Sequence, residues 1–500
     1  MIKKGAEALS LFFKRHPALL PSLFFLLGLA LAASPSFALC LPVFSLFLLR
    51  VRRPSHLMIL CTIGVLAFFY GKHTKAHFPE NISSFKGSAL FSLSEIKMQH
   101  SHFKKALFIQ GSISSMQGKL GEKAHNIPCS FSIPSSICPL QFQKYQIFGT
   151  LEKKENWFSF TPDPKTPWIG QGRSFCLPDW KFKIKKALAK AIKKAYPDTT
   201  VSNFFIALTL GNLDDKLLRF SFNKLGLQHI LAISGFHFSL LSLFIGCFFR
   251  LIFKEKIALI ALLGVLTLYF LLLHNAPSIF RAYFAITLYL IGRLRGYRPN
   301  ALNLLGVTLL LELIILPQSI TNLGFQLSFL ATGSILLLFP LTFSWMEKLL
   351  PKRNISQALL LHPLEKIIYL ISCALRSTLA VNLAVYLTLI PTCLWYFTSF
   401  PLVSLLYNLF IPFTIFISLL LFLVAFFFGI FIPPLSTLIH QGNEIFTGKI
   451  LQLLIESPNC LDFPLTLPFI SEPLLYIHLM FIFSLAIIAK NKTRLSSRMI

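Results

Sequence analysis

Residues 401–431, PLVSLLYNLFIPFTIFISLLLFLVAFFFGIF, run without a single Asp, Glu, Lys or Arg. So apolar a stretch needs hydrocarbon or a large core around it, and it exceeds the roughly 20 residues that cross a bilayer as one helix. Further apolar runs lie at 18–34, 36–50, 56–71, 229–250, 257–274, 278–292, 301–316, 324–343, 376–397 and 473–489. With 55% of residues hydrophobic, 13% charged and a mean hydropathy of +0.68, no soluble core could absorb them all. The expectation is a multi-pass α-helical membrane protein with about ten to twelve transmembrane helices. Ser34-Pro35-Ser36 joins the first two short runs into a tight hairpin. At the far end, 401–431 and the amphipathic stretch 433–456 call for a re-entrant piece or a second hairpin.

Several function classes drop out. Nine cysteines include no CxxC pair and no Cys/His grouping with zinc spacing, so no metal is expected. There is no Walker A motif and no GxGxxG, so no nucleotide cofactor is expected either. The opening MIKKGAEALSLFFKRHP leads into an apolar run that reads as a retained anchor rather than a cleaved signal.

Basic clusters orient the runs. Lys3, Lys4, Lys14 and Arg15 precede the first run, and Arg50, Arg52 and Arg53 follow the second. By the positive-inside bias both are cytoplasmic, so residues 72–200 lie outside. Arg250, Lys254 and Lys256, then Arg293, Arg295 and Arg298, then Lys348, Lys352, Arg353 and Lys366 mark later cytoplasmic turns that alternate correctly with that placement. The expected organisation is N-terminal transmembrane helices at 1–71, an extracytoplasmic basic β domain at 72–180, a basic amphipathic helix at 181–200, a transmembrane domain at 201–490 and a basic cytoplasmic tail at 491–500.

The outside segment differs in kind. KKALFIQGSISSM (104–116), HNIPCSFSI (125–133) and YQIFGTLEKKENWFSFTP (145–162) alternate like strands between turn residues, which suggests a small β-barrel of five or six strands. The whole chain has a net charge of +28, and residues 72–200 hold 20 Lys and Arg against 8 Asp and Glu. A loop this long crosses largely regardless of charge, so the positive-inside bias does not account for the excess. A polyanionic partner does: nucleic acid or lipid head groups. Lys153, Lys154 and Trp157 are candidate contacts, with a core role for the aromatic as the alternative. Lys183, Lys185 and Lys186 lie in KFKIKKALAKAIKKA (181–195), where Phe182, Ile184, Leu188 and Ile192 share one side. That helix fits either an interfacial position on membrane lipid or DNA contact. Cys129, Cys138 and Cys176 fall in the same segment, where oxidation is open to them. Three thiols cannot all pair, so one disulfide, such as Cys129 with Cys138, and lone thiols both stand.

Within the apolar half, topology gathers polar groups. Spans entering from outside carry His229, Ser234, Gly235 and His237, then His274, Asn275 and Arg281, then Gln326 and Ser328. Asn408 follows at a comparable level. Such groups are costly in hydrocarbon and usually face a bundle interior or a water-filled path, so these residues are the candidate channel lining. Interhelical hydrogen bonding, and snorkelling of Arg281, are the plainer accounts. Gly235 suits close packing or a helix break. Ser234 and His237 could share a helix face as nucleophile and base, but no carboxylate is spaced to orient the imidazole. No catalytic residue is assigned. An intramembrane Ser/His hydrolase and a transporter of another solute remain the alternatives.

GLQHILAISGFHFSLL (226–241) resembles the signature of the ComEC competence family, which passes DNA into naturally transformable bacteria. APSIFRAYFAITLYLIGRLRGYRPNALN (276–303), LPQSITNLGFQLSFLATGSILLL (316–338) and IPTCLWYFTSFPLVSLLYNLFIPF (390–413) agree with further family segments in order. The resemblance implies transport of single-stranded DNA across the inner membrane, and an OB-like barrel for the outside domain. It also implies partners: a cytoplasmic helicase-like motor, a periplasmic DNA receptor and a separate nuclease, with a homo-oligomer open. Two departures stand out. Asn322 occupies a region where the family commonly has Asp-Pro, and no H-x-H-x-D-H motif of a metallo-β-lactamase-like domain occurs. The expectation is a short form that is not itself a nuclease.

Overall fold

The computed structural model describes residues 11–34, 54–79, 82–100, 105–118, 123–134, 142–153, 158–172, 176–212, 215–273, 276–351, 353, 362–458, 464–466 and 471–496. Lys154, Trp157, Cys138, His274 and Asn275 lie outside them. The chain divides into two compact units. One is Lys72–Asp215 with Leu271–His274; the other is Met1–Gly71, Lys216–Phe270 and Asn275–Ile500.

The smaller unit is an antiparallel sheet with helices behind it. Its strands are β1 (Ser84–His100), β2 (Lys105–Gly118), β3 (Lys123–Pro134), β4 (Lys144–Lys153), β5 (Phe158–Pro162) and β6 (Ile169–Gln171). They pair in the order β3-β2-β1-β4-β5, with β6 also on β4. Alternating residues Ala89, Phe91 and Leu93 of β1 point inward and meet Ile109, Ile113, Ile127 and Ile147, all at most 1% exposed. Burying a side chain of this size contributes about 1.5–3 kcal/mol. The expected barrel is not closed: among the described residues β3 and β5 share no ladder, so the sheet is open. The strand β1 was not legible as such in the sequence. Its inward alternation slips between Leu93 and Glu95, where the pairing with β2 shifts register.

Behind the sheet, α1 (Leu177–Ala195) packs on β1 and on α2 (Thr199–Leu210). Asp198 caps α2 through bonds from Thr200 N and Val201 N, and Gly211 closes it at φ 74°.

The larger unit is helical. Leu19–Ala33 and Pro54–Thr74 come first, then Lys216–Lys224, Gln228–Leu231, Gly235–Ile252, Glu255–Leu272, Pro277–Leu294, Ala301–Ile315, Leu323–Leu349, Pro363–Phe397, Ser404–Phe431, Pro433–Ile455 and Glu472–Ser496. Among the described residues, seven helices are long and apolar enough to cross a membrane: 55–74, 235–252, 255–272, 323–349, 363–397, 404–431 and 472–490. The chain is thus a multi-pass helical membrane protein. Residues 404–431 form one helix, and after Ile432 the helix Pro433–Ile455 packs against it. A polar seam joins the two. Ser418 Oγ and Thr447 Oγ1 are 2.6 Å apart, and Asn443 Nδ2 donates to Ser418 O at 3.1 Å. Elsewhere Ser334 meets Thr388 at 2.7 Å, and Thr342 Oγ1 donates to Ala380 O at 2.7 Å. Without a hydrophobic drive between helices in lipid, such bonds and small residues hold neighbours together.

Candidate functional site

The span expected at 229–250 is broken. After Lys216–Lys224 the chain turns at Gly226, whose φ of +67° is open to glycine and strained for other residues. A Cβ there would also stand 2.6 Å from Ser404 Cβ. Residues 228–231 make one helical turn, and 232–234 leave the helix before Gly235–Ile252 begins. His229 therefore lies ahead of the long helix, and it is exposed. Ser278 Oγ donates to Ile233 O at 2.8 Å and so ties the break to Pro277–Leu294.

Ser234 is the N-cap of Gly235–Ile252. Its Oγ accepts from Phe236 N at 3.3 Å, while His237 Nδ1 accepts from Ser234 N at 3.2 Å. This is a capping box with histidine in the usual Glu/Gln place. Ser234 Oγ is 3.4 Å from the same Nδ1. That lone pair is already taken by a backbone N–H, so it is poorly available to accept the hydroxyl proton. His237 is 4% exposed, and its Nε2 has no hydrogen-bond partner among the described residues.

Arg281 comes to this helix start from Pro277–Leu294. Its Nη2 lies 3.5 Å, and its Nη1 4.0 Å, from where a Cβ on Gly235 would stand. Its Nε donates to Ser328 Oγ at 2.6 Å, a bond that fixes the guanidinium from Leu323–Leu349. Ser234, Gly235, His237, Arg281 and Ser328 thus form one cluster, although they come from three helices. The first turn of a helix carries unsatisfied N–H groups and a partial positive charge. Here a guanidinium lies beside that same turn, whose Phe236 N–H is capped by Ser234.

A carboxylate that the spacing of the sequence did not single out belongs to this neighbourhood. Glu312, on Ala301–Ile315, is 0% exposed, and neither oxygen has a hydrogen-bond partner among the described residues. It lies within electrostatic reach of Arg281, with no contact ion pair between them among the described residues. Gln326 lies two residues before Ser328, about 200° round the same helix, and bonds elsewhere: Nε2 donates to Ile320 O at 2.9 Å, and Oε1 accepts from Tyr396 Oη at 2.7 Å. Asn408 belongs to a separate group. Its Nδ2 donates to Tyr386 Oη at 2.7 Å, and that hydroxyl donates to Ser404 O. Among the described residues no three His, Cys, Asp or Glu side chains gather as a metal site.

In the sheet unit, Lys153 is exposed at the end of β4. Lys183 is exposed and pairs with Asp179 at 2.7 Å, and Lys186 is exposed. Lys185 does not share that surface. It is 6% exposed, and its Nζ lies 3.3 Å from Glu95 Oε1 on β1. Burial lowers its ammonium from the usual lysine range, against the raising effect of the Glu95 carboxylate. Cys129 is a free buried thiol whose burial pushes it up to about 12.

The sequence model of the family described as "Competence protein" matches residues 213–493, which contain the whole Arg281 cluster. A curated relative, "ComE operon protein 3" of Bacillus subtilis, is 35% identical over 147 residues. That match covers 28% of this chain and 18% of the relative, so the chain spans well under two thirds of the relative's length. No solved structure matches the chain.

Proposed function

The chain belongs to the competence protein family, and from that premise we propose that it carries single-stranded DNA across the cytoplasmic membrane during DNA uptake. The single observation that carries the reading is Arg281, set over the start of Gly235–Ile252. A guanidinium beside a helix start concentrates positive charge and favours an anion there. A phosphate diester suits the guanidinium, whose Nη1 and Nη2 offer a forked bond; the N–H groups of Phe236 and Phe238 are taken by Ser234. Ser328 fixes the fork. Binding that is too tight would stop conduction.

His229, Ser234, Gly235, His237, Arg281, Gln326, Ser328 and Asn408 then line or support the path. The sheet unit lies on the outer side and meets incoming DNA with its lysines. A cytoplasmic motor and an outer DNA receptor complete the system. The capping role of Ser234 and the engaged Nδ1 of His237 argue against a Ser/His hydrolase.

The test is uptake of labelled DNA into the cytoplasm of a deletion strain complemented with wild type, Arg281→Ala or Arg281→Lys. Alanine should lower import at least tenfold at equal membrane levels. Lysine should restore part of it, since charge returns without the fork. Import that persists in the deletion strain would sink the transport reading.

A further inference from the structure

Two neighbouring helices of the larger unit hold a proline inside them: Pro340 in Leu323–Leu349 and Pro391 in Pro363–Phe397. Proline has no N–H, so the carbonyl four residues earlier loses its helical partner. Those carbonyls belong to Leu336 and Leu387. In hydrocarbon a freed carbonyl has to be met by a neighbour. Here one helix meets both. On Glu472–Ser496, Lys490 Nζ donates to Leu336 O at 2.8 Å. His478 of the same helix places Nε2 3.0 Å from Leu387 O. A carbonyl only accepts, so the ring nitrogen is the donor.

The two freed carbonyls share one level. Tyr396 bonds Gln326, Ser334 meets Thr388, and Thr342 bonds Ala380 O. Each step along one helix is matched by an equal step back along the other. The pair is therefore antiparallel, and Leu336 and Leu387 differ in level by only about 1.5 Å. A helical carbonyl points toward its own C-terminus, so these two point in opposite directions. His478 and Lys490 reach them from positions about 18 Å apart along the third helix. Between these two donors Ala486 packs on Leu338 and Ala384, all at most 1% exposed.

Above and below this level the pair is tied to itself. At one end Tyr396 holds Gln326, and Ser328 holds Arg281 at 2.6 Å. At the other, Thr342 bonds Ala380 O, and Arg376 Nη1 donates to Leu350 O at 3.0 Å. The level between lacks two backbone bonds, and sharp bends in helices form at such prolines.

We propose that 336–340 and 387–391 form a double hinge, and that Glu472–Ser496 is the clamp that holds it through His478 and Lys490. Releasing the clamp lets the end with Ser328 tilt against the rest and carries the Arg281 cluster with it. The use of that tilt in passing a strand rests on the transport reading above; the clamp itself does not.

The test reads the thermal midpoint of the full chain in nanodiscs, and import of labelled DNA in the complemented deletion strain. His478→Ala should lower the midpoint by several degrees. Pro391→Ala, which returns an N–H to Leu387 O, should recover it, and Pro340→Ala should not. Lys490→Met should behave in mirror image, recovered by Pro340→Ala alone. His478→Gln and Lys490→Arg still donate and should keep the wild-type midpoint. If either damaged variant fails to accumulate in the membrane, recovery of its level by the matching proline change reads the same pairing. Pro340→Ala with Pro391→Ala should raise the midpoint yet lower import about tenfold at equal membrane levels, because a hinge is lost. Prolines with a merely structural role would gain stability and keep import. Recovery that does not follow the matching overturns the clamp, and wild-type import by the double proline variant overturns the hinge. A wild-type protein that imports no DNA refutes transport alone, since the matched recovery is read without DNA.

Discussion

Ser234 begins Gly235–Ile252 by satisfying Phe236 N, and its own N–H is satisfied by His237. Losing such a cap costs about 1 kcal/mol, not a reaction. Ser234→Ala should therefore lower the thermal midpoint by a few degrees and reduce import several-fold. Ser234→Asn, which caps as well, should recover both. Complete silencing by Ala with an unchanged midpoint, and no rescue by Asn, would revive the hydrolase. The residues of this cluster were legible because each is polar where its neighbours are apolar, and topology alone brings His237, Arg281 and Ser328 to one level. Glu312 was not read as part of it. A single acid in LLLELII shows nothing in the sequence of its partner on Pro277–Leu294, which is chosen only when the helices pack.

At the scale of elements, periodicity located α1 but not the side by which it attaches. The sequence puts Ile184 and Leu188 with Phe182 and Ile192; the structure turns the helix so that Lys185 is buried and Leu188 is 42% exposed. A carboxylate on β1 decides the matter, because Glu95 gives a buried ammonium its partner. Removing Lys185 leaves Glu95 with Lys97 Nζ at 3.4 Å but loses the bond that ties the helix to β1, which costs about 2 kcal/mol. Lys185→Ala should therefore loosen α1, seen as faster amide exchange through 181–195. The joint change Lys185→Met with Glu95→Leu should restore protection. The pH dependence has a definite sign. Lys185 is shifted below the ordinary lysine value, so the folded unit gives up this proton before the unfolded chain does. This group's contribution to stability therefore rises with pH between its lowered value and about 10.5, a gain that Lys185→Met lacks. Equal pH dependence in the two proteins would remove Lys185 from the account. The same limit hid β1: a strand whose alternation slips at a bulge reads as irregular until β2 pairs with it.

For the whole molecule, the apolar runs announced a membrane protein because no other solvent accepts them, and the surplus of lysine in 72–200 marked that segment as different. The break at 232–234 was harder to see, since a capping serine and a glycine inside an apolar run are compatible with a continuous helix as well. Orientation links these features to uptake. The transport reading needs the lysine-bearing unit on the side where DNA arrives, and the basic turn near Arg353 on the other. In a background without native cysteines, Lys123→Cys and Arg353→Cys replace exposed residues in the sheet unit and in that turn. A membrane-impermeant maleimide applied to intact spheroplasts should label position 123 and leave 353 unlabelled until the membrane is opened. The positive-inside bias predicts this pattern from the turns alone, independently of the 72–200 surplus, because long translocated segments do not obey it. Labelling of 353 and protection of 123 would put the sheet unit in the cytoplasm. Its lysines could then meet only DNA that has already crossed, and a role in collecting incoming strands would be lost while a role in drawing them inward would remain.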